Sequence, residues 1–413
     1  MKRVLYIVAN PFSFSTNPVG GNISSASGVV TGFLMDGYHV DVVTDTNIPT
    51  LQKNSDKLTT IYYPYRSLRS VIPRHLSGFL GKVFKKLDGI FFRIVMKKKI
   101  MSLVNENQYT FCYMRASYHG ATITSILNTR NLKLVLEVNK PLSMAPYNKK
   151  EVIDWPNPTK RVRVPKAERD QYEAATLITV DSSLRAKWIT DFVGEKFNNK
   201  MIINPNGVNT KMFSPSPKTK ESCFGFKKLP GDILVGMASS FRWYNDIEEL
   251  CEILCRALAE CDKLKYIIVV GDLKKEAELK TKISAYGLNK STKILSQIPF
   301  NMMPNLLNEC DVVLSHFNFH NKWPHNCSIK HLEYLALGKP TVATDVGEVN
   351  FAIEHGKNGL LCEEGNIDMF ANSIVRLAND PALRKRLGAA GRQKALEELD
   401  WQFNVQKIIK SLH

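Results

Sequence analysis

The stretch SIKHLEYLALGKPTVATDVGE, residues 328–348, carries two groups able to do chemistry in an otherwise apolar segment. Glu333 and Lys330 lie three apart, so a helix here puts them on one face. Ile329, Leu332 and Ala336 fall at helical spacing and form its buried side, Ser328 stands where an N-cap belongs, and Gly338 ends it. Glu333 then sits beside the buried face, near a sheet edge, where a carboxylate can accept hydrogen bonds from a ligand. On an arbitrary helix such a glutamate is a solvated surface residue, and the rest of the chain decides between the two readings.

Other residues stand at similar places. Gly20 and Gly21 follow the first apolar run, where a glycine pair can bring backbone N–H groups to a phosphate before a helix N-terminus. Arg115 closes the run YTFCYMR and is a candidate for an acidic or phosphorylated acceptor, and Glu137 and Asn139 close the run KLVLEVN. In parallel α/β sheets ligands bind outside such strand ends. His316, His320 and His325 share the loop HFNFHNKWPHN but lack the H-x3-H helical pairing of zinc enzymes. The eight cysteines are scattered without a C-x2-C pair, which fits reduced, buried thiols, and no D-x-D motif is present. No metal and no resident cofactor are expected.

The elements that position these residues follow from periodicity. VLYIVA (4–9), a helix to Met35 and HVDVVT (39–44) form a βαβ opening, and ATLITVD (175–181) is a further buried strand before a helix capped by Ser182 or Ser183. ILVGMAS (233–239), KYIIVVGD (265–272), TKILSQI (292–298), CDVVLSHF (310–317) and PTVATD (340–345) repeat the rhythm, with helical patterns between them. Continuous apolar strands alternating with helices imply parallel sheets covered on both faces. The Pro-, Gly- and Asn-rich stretch NPNGVNTKMFSPSPK (204–218) is the natural linker. The expected fold is two tandem Rossmann-like α/β domains, 1–203 and 204–401, their strand ends facing one cleft that suits two substrates.

With 413 residues and 44% apolar content, the chain is long enough for two cores, and no apolar run approaches the length of a membrane span. VLYIVA is too short for a signal-peptide core, which places the expected location in the cytoplasm. The net charge of +17 asks for an anionic partner. Much of it lies in residues 66–103, where Arg66, Arg69, Arg74, Lys82, Lys85, Lys86, Arg93, Lys97, Lys98 and Lys99 face a single acid, Asp88. Val83, Phe84, Leu87, Phe91, Ile94 and Val95 interleave at helical spacing. Such a helix either packs its apolar side on its own domain or lays it on an anionic membrane. The scarcity of acids favours the membrane, with the protein peripheral at its inner face.

In order along the chain, Gly20-Gly21, VLEVNKPL (135–142), INPNGVNTKMF (203–213), VVGD with GLNKSTKIL, DVVLS, and LEYLALGKPTVATDVGE with EHGKNGLL resemble the retaining GT-B glycosyltransferases of family four, the glycosyl transferases group 1. The resemblance covers most of the chain and implies the GT-B architecture, with an acceptor-binding first domain, a donor-binding second domain and a last helix, 402–413, crossing back to the first. It implies transfer of a sugar, with retention and without a metal, from a nucleotide sugar to a glycan or lipid-linked acceptor. Glu333 would receive the donor ribose hydroxyls, Arg242 and Lys330 would clamp the diphosphate, and Gly20 and Gly21 would offer amides to it. His119 would lie near the transferred sugar. Ser240 and Asn245 stand where the family has an arginine and a lysine, His325 where it often has a glutamate, and Glu348 and Phe351 where many members have glycine and glutamate. The competing readings are a GT-B protein that binds without turnover and, on charge alone, a nucleic-acid-binding protein. No nucleic-acid module signature is present, and the absence of G-x-G-x-x-G in the first turn excludes a dinucleotide-dependent oxidoreductase.

Overall fold

The computed structural model describes residues 2–8, 21–44, 56–62, 79–118, 120–149, 152–153, 161–216, 224, 229–241, 244–319 and 327–412. The first domain has strands β1 (Arg3–Val8), β2 (His39–Thr44), β3 (Leu58–Tyr62), β4 (Phe111–Arg115) and β5 (Leu134–Val138), a small hairpin of β6 (Asn148–Lys149) and β7 (Val152–Ile153), then β8 (Leu177–Val180) and β9 (Met201–Ile203). Its helices are α1 (Gly21–Met35), α2 (Phe79–Glu106), α3 (Gly120–Thr129), α4 (Lys166–Ala174) and α5 (Ser183–Trp188). The second has β10 (Ile233–Ser239), β11 (Leu264–Val270), β12 (Thr292–Ser296), β13 (Val312–Ser315), β14 (Thr341–Thr344) and β15 (Leu360–Cys362). Its helices are α6 (Ile247–Glu260), α7 (Leu273–Ala285), α8 (Met303–Glu309), α9 (Ile329–Ala336), α10 (Ile367–Asn379) and α11 (Pro381–Lys394), and α12 (Trp401–Leu412) ends the chain.

Both large sheets are parallel, in the orders β3-β2-β1-β4-β5-β8-β9 and β12-β11-β10-β13-β14-β15. Two tandem Rossmann-like domains are thus present, as the alternating pattern predicted. Strand alternation builds a core on each face. In β1, Val4, Tyr6 and Val8 pack with α1, while Leu5 and Ile7 pack with Met96, Ile100 and Leu103 of α2 and with α3 and α4. In the second domain α6, α7, α10 and α11 cover one face, and α8 and α9 the other.

The structure adds three edge strands, β3, β9 and β15, that the periodicity did not mark. The segment after Ser182 is α-helical only to Trp188 and widens into a π turn over Ile189–Val193. Its cap is Ser182, whose side chain accepts from the Arg185 N–H. The chain enters the second domain through a brace in which Val208 donates to Leu399 O and Trp401 donates to Val208 O, at 2.8 and 3.2 Å. α12 then lies on α1, with Trp401, Val405 and Ile408 buried in the first-domain core. Gly28 and Gly32 permit that approach: a Cβ on Gly28 would stand 1.9 Å from Trp401 Nε1, and one on Gly32 2.7 Å from Val405 Cγ2. Burial of each such apolar side chain contributes about 1.5–3 kcal/mol, which anchors the C-terminal helix to the domain where the chain began.

Candidate functional site in the interdomain cleft

α9 begins at the C-terminal edge of the second sheet. His331, Leu332, Tyr334, Leu335 and Ala336 are buried, leaving a narrow half-buried stripe of Ile329, Lys330 and Glu333. Two local expectations change. Ile329 belongs to that stripe rather than to the core, and Ser328, although in the N-cap position, makes no side-chain cap hydrogen bond. Gly338 does end the helix, with φ +64.

Lys330 reaches over the sheet edge. Its Nζ lies 3.4 Å from Ser239 Oγ at the end of β10 and 4.7 Å from the centre of the Phe317 ring after β13. Burial pushes the ammonium down to about 8, and the Glu333 carboxylate pulls the other way. Behind it His331 is bonded to Ser315 Oγ at 2.7 Å, and burial together with the Lys330 charge lowers its pKa to about 3, which keeps the ring neutral. Tyr244, Phe317 and Phe319 form an aromatic wall beside this edge, with Tyr244 and Phe319 stacked at 5.3 Å. The wall was not read from sequence, although the FNF of residues 317–319 was its signal.

Asn245, at a position where the family resemblance expects a cation, is buried in the fold. Its Oδ1 accepts from Ser239 Oγ at 2.8 Å and its Nδ2 donates to His316 O at 2.9 Å. His316 is bonded through Nε2 to Glu249 at 2.9 Å. Ser240 is exposed, and Phe241 next to it is buried with φ +49, a left-handed backbone in a bulky residue. Such conformations concentrate at functional sites. Arg242, His320 and His325 lie outside the described residues, as do Gly20 and His119. Gly21 is the first residue of α1. Among the described residues no group of three or more His, Cys, Asp or Glu side chains is placed to hold a metal ion.

On the first domain, Arg115 at the end of β4 is buried rather than presented to solvent. It donates to Glu137 at 2.9 Å and to Ser25 Oγ at 2.7 Å. Burial opposes its charge, but Glu137 beside it more than offsets this and raises its pKa. Asn139 donates to the other oxygen of Glu137 at 2.9 Å. Glu137 and Asn139 line a small pocket of mixed character, in which Thr179, Asp181 and Asn204 meet Val29, Tyr113 and Trp401. The loop beyond β4 is fixed by Gln171, which receives the Ser117 N–H and donates to Ser117 O at 3.1 and 2.8 Å. Gly120 is needed there, since a Cβ would meet Gln171 Oε1 at 2.0 Å.

The two sheet edges face each other. Ser183, just past β8, donates its N–H to Glu348 Oε1 at 2.7 Å, and Glu348 lies just past β14. The Lys330–Glu333 stripe and the Glu137–Asn139 pocket are therefore at the strand ends of two domains that meet across one cleft.

The sequence profile of the glycosyl transferases group 1 matches residues 220–394, the body of the second domain. The chain is 35% identical over 78 residues to an N-acetyl-alpha-D-glucosaminyl L-malate synthase of Bacillus anthracis, covering 19% of each. Curated relatives are matched over 19, 31 and 58% of their own length, less than two thirds in each case. Solved structures are similar over the whole chain. A sucrose-phosphate synthase from Thermosynechococcus elongatus has a TM-score of 0.68 at 18% identity, over 99% of this chain and 98% of that one. HepE of Anabaena in complex with UDP has a TM-score of 0.62 at 18% identity, over 100% and 99%. These matches place the second domain, residues 220–394, among the glycosyl transferases group 1, and the chain as a whole shares the two-domain fold of the solved structures it resembles.

Proposed function

We propose that this protein transfers a sugar, with retention at the anomeric carbon, from a nucleotide sugar to a glycan or lipid-linked acceptor. The observation that carries the reading is α9: its one accessible stripe presents a carboxylate and a desolvated ammonium side by side at the edge where α/β sheets bind ligands. Glu333 accepts the vicinal hydroxyls of the donor ribose. Lys330 and Arg242 hold the diphosphate as its charge develops, with the amides of Gly20 and Gly21 closing from the other side. The aromatic wall of Tyr244, Phe317 and Phe319 is suited to the flat base. The family resemblance assigns His119, outside the described residues, to the transferred sugar. Glu137 and Asn139 bind acceptor hydroxyls, and Arg115 orients Glu137. Fixed cations supply the charge stabilisation here, so turnover is expected to persist in EDTA.

Assaying a panel of nucleotide sugars for hydrolysis and transfer tests this directly. Glu333→Ala should weaken donor binding by roughly 10- to 100-fold, the scale of lost hydrogen bonds to a charged group. Full activity of that variant at limiting donor would remove Glu333 from the site. A GT-B protein that binds without turnover is the second reading, favoured by Ser240 and the buried Asn245. It would bind a nucleotide sugar in calorimetry yet leave every donor intact.

We further propose that the protein works as a peripheral protein at an anionic, cytoplasmic membrane surface. No helix among the described residues is long and apolar enough to cross a membrane. Along α2, Met96, Ile100 and Leu103 face the core, while Ile90, Ile94, Val95 and Met101 are exposed beside Arg93, Lys97 and Lys98. Residues 66–78, and the side chains of Val83, Phe84, Leu87 and Phe91, lie outside the described residues. One helix thus has an inner apolar face and an outer mixed one, and each basic residue near anionic lipid adds about 1 kcal/mol of attraction. Wild type should co-sediment with anionic vesicles at low salt and less at high salt, and changing Lys97, Lys98 and Lys99 together to glutamate should abolish this. Equal sedimentation of the triple variant would sink the proposal.

A further inference from the structure

Glu348 lies in the loop after β14, and its carboxylate is spent on the other domain. Oε1 accepts both the backbone N–H and the hydroxyl of Ser183, the first residue of α5. The first N–H groups of a helix have no partner within it. Ser182 Oγ already takes the Arg185 N–H, so the Ser183 N–H is left for an acceptor from outside. A negative group there also meets the positive end of the helix. The loop that bears Glu348 turns at Gly347, φ +62, and leads into a single 3-10 turn over Val349–Phe351, so the side chain is delivered from a short, constrained segment. Burial, and then the Glu348 charge, push the Cys327 thiol up to about 12, and Cys327 is three residues before Lys330.

We infer that Glu348 is an interdomain clasp, a positioning residue that fixes the distance between the Lys330–Glu333 stripe and the first-domain pocket. The inference rests on the glycosyl-transfer reading only for its consequence in turnover; the clasp itself is a matter of shape. Donor groups on α9 belong to one domain, and acceptor groups at β5 to the other. Loss of the clasp should therefore leave nucleotide binding nearly untouched while slowing the step that needs both halves.

The test uses the full chain. Small-angle scattering of ligand-free wild type is compared with Glu348→Ala, Ser183→Pro and the double variant. Proline suits the first helical position, and the extended backbone of Ser182 (φ −156, ψ 155) is what a residue before proline requires, so Ser183→Pro removes the donor without breaking α5. Each single variant should raise the radius of gyration, the double variant should raise it no further, and Glu348→Gln, which still accepts, should stay near wild type. Closed-to-open ratios should fall roughly tenfold, the scale of a hydrogen bond to a charged group. With the nucleotide sugar found active in the panel, Glu348→Ala should lower kcat about tenfold and leave the donor KM within a factor of about two. An unchanged radius in both single variants, or additive effects in the double variant, overturns the clasp. If wild type turns over no nucleotide sugar while the radii shift as stated, the glycosyl-transfer reading fails and the clasp stands.

Discussion

Lys330 is held in the least comfortable protonation state of the candidate site. Its folded pKa, about 8, lies below the ordinary lysine value of 10.5. Between those values the folded chain binds fewer protons than the unfolded one, so stability from this group rises with pH across that window. Lys330→Met should therefore stabilise the ligand-free protein at pH 7 by roughly 1 to 3 kcal/mol, each pKa unit being about 1.4 kcal/mol, while weakening donor binding. Thermal denaturation with and without donor reads both signs. Donor affinity of wild type should decline as pH passes about 8, and Lys330→Arg should flatten that decline because a guanidinium stays charged. Arg115 behaves differently. Removing it leaves Glu137 buried and uncompensated, so Arg115→Met should cost about 3–5 kcal/mol in urea unfolding, where an anion-binding surface arginine would cost nearly nothing.

At the scale of the element, α2 has two faces with different duties. Ile100 is fully buried and Ile94 is 57% exposed, six residues apart on one helix. Ile100→Ala should cost about 2–5 kcal/mol without changing vesicle binding of the folded fraction. Ile94→Ser should leave unfolding within about 0.5 kcal/mol of wild type and weaken vesicle binding. Both measurements on both variants separate core packing from surface attachment. The end of α9 offers a second contrast. Gly338 takes a left-handed turn and its carbonyl would lie 2.2 Å from a Cβ on Gly388 of α11. Gly388→Ala should cost about 1–3 kcal/mol by overpacking, seen in thermal denaturation.

For the whole molecule, the chain leaves the first domain once and returns once, through the Val208–Leu399 brace and α12. Deleting residues from Trp401 onward would uncover Val29 and Phe33 of the first-domain core. The truncated protein should aggregate or unfold in a transition well below that of wild type, followed by circular dichroism; a truncated chain that melts as wild type would show that α12 does not complete the first domain.

Much of the architecture was written in local patterns. Apolar strands such as VLYIVA and KYIIVVGD can be stable only when covered on both faces, and Gly338 could end α9 wherever that helix was placed. Glu333 and Lys330 shared a face by spacing alone. What the sequence could not determine depends on partners distant along the chain. Arg115 looked like an anion-binding strand end, and only the fold sets Glu137 and Ser25 against it, 22 and 90 residues away. Asn245 and Glu348 read as departures from a motif until β10, β13 and α5 surrounded them. The edge strands β3, β9 and β15 acquire their identity from the neighbouring strand that completes their hydrogen bonds. Periodicity records which side of an element is apolar; which charge, aromatic ring or backbone amide arrives on the other side is fixed by the tertiary fold.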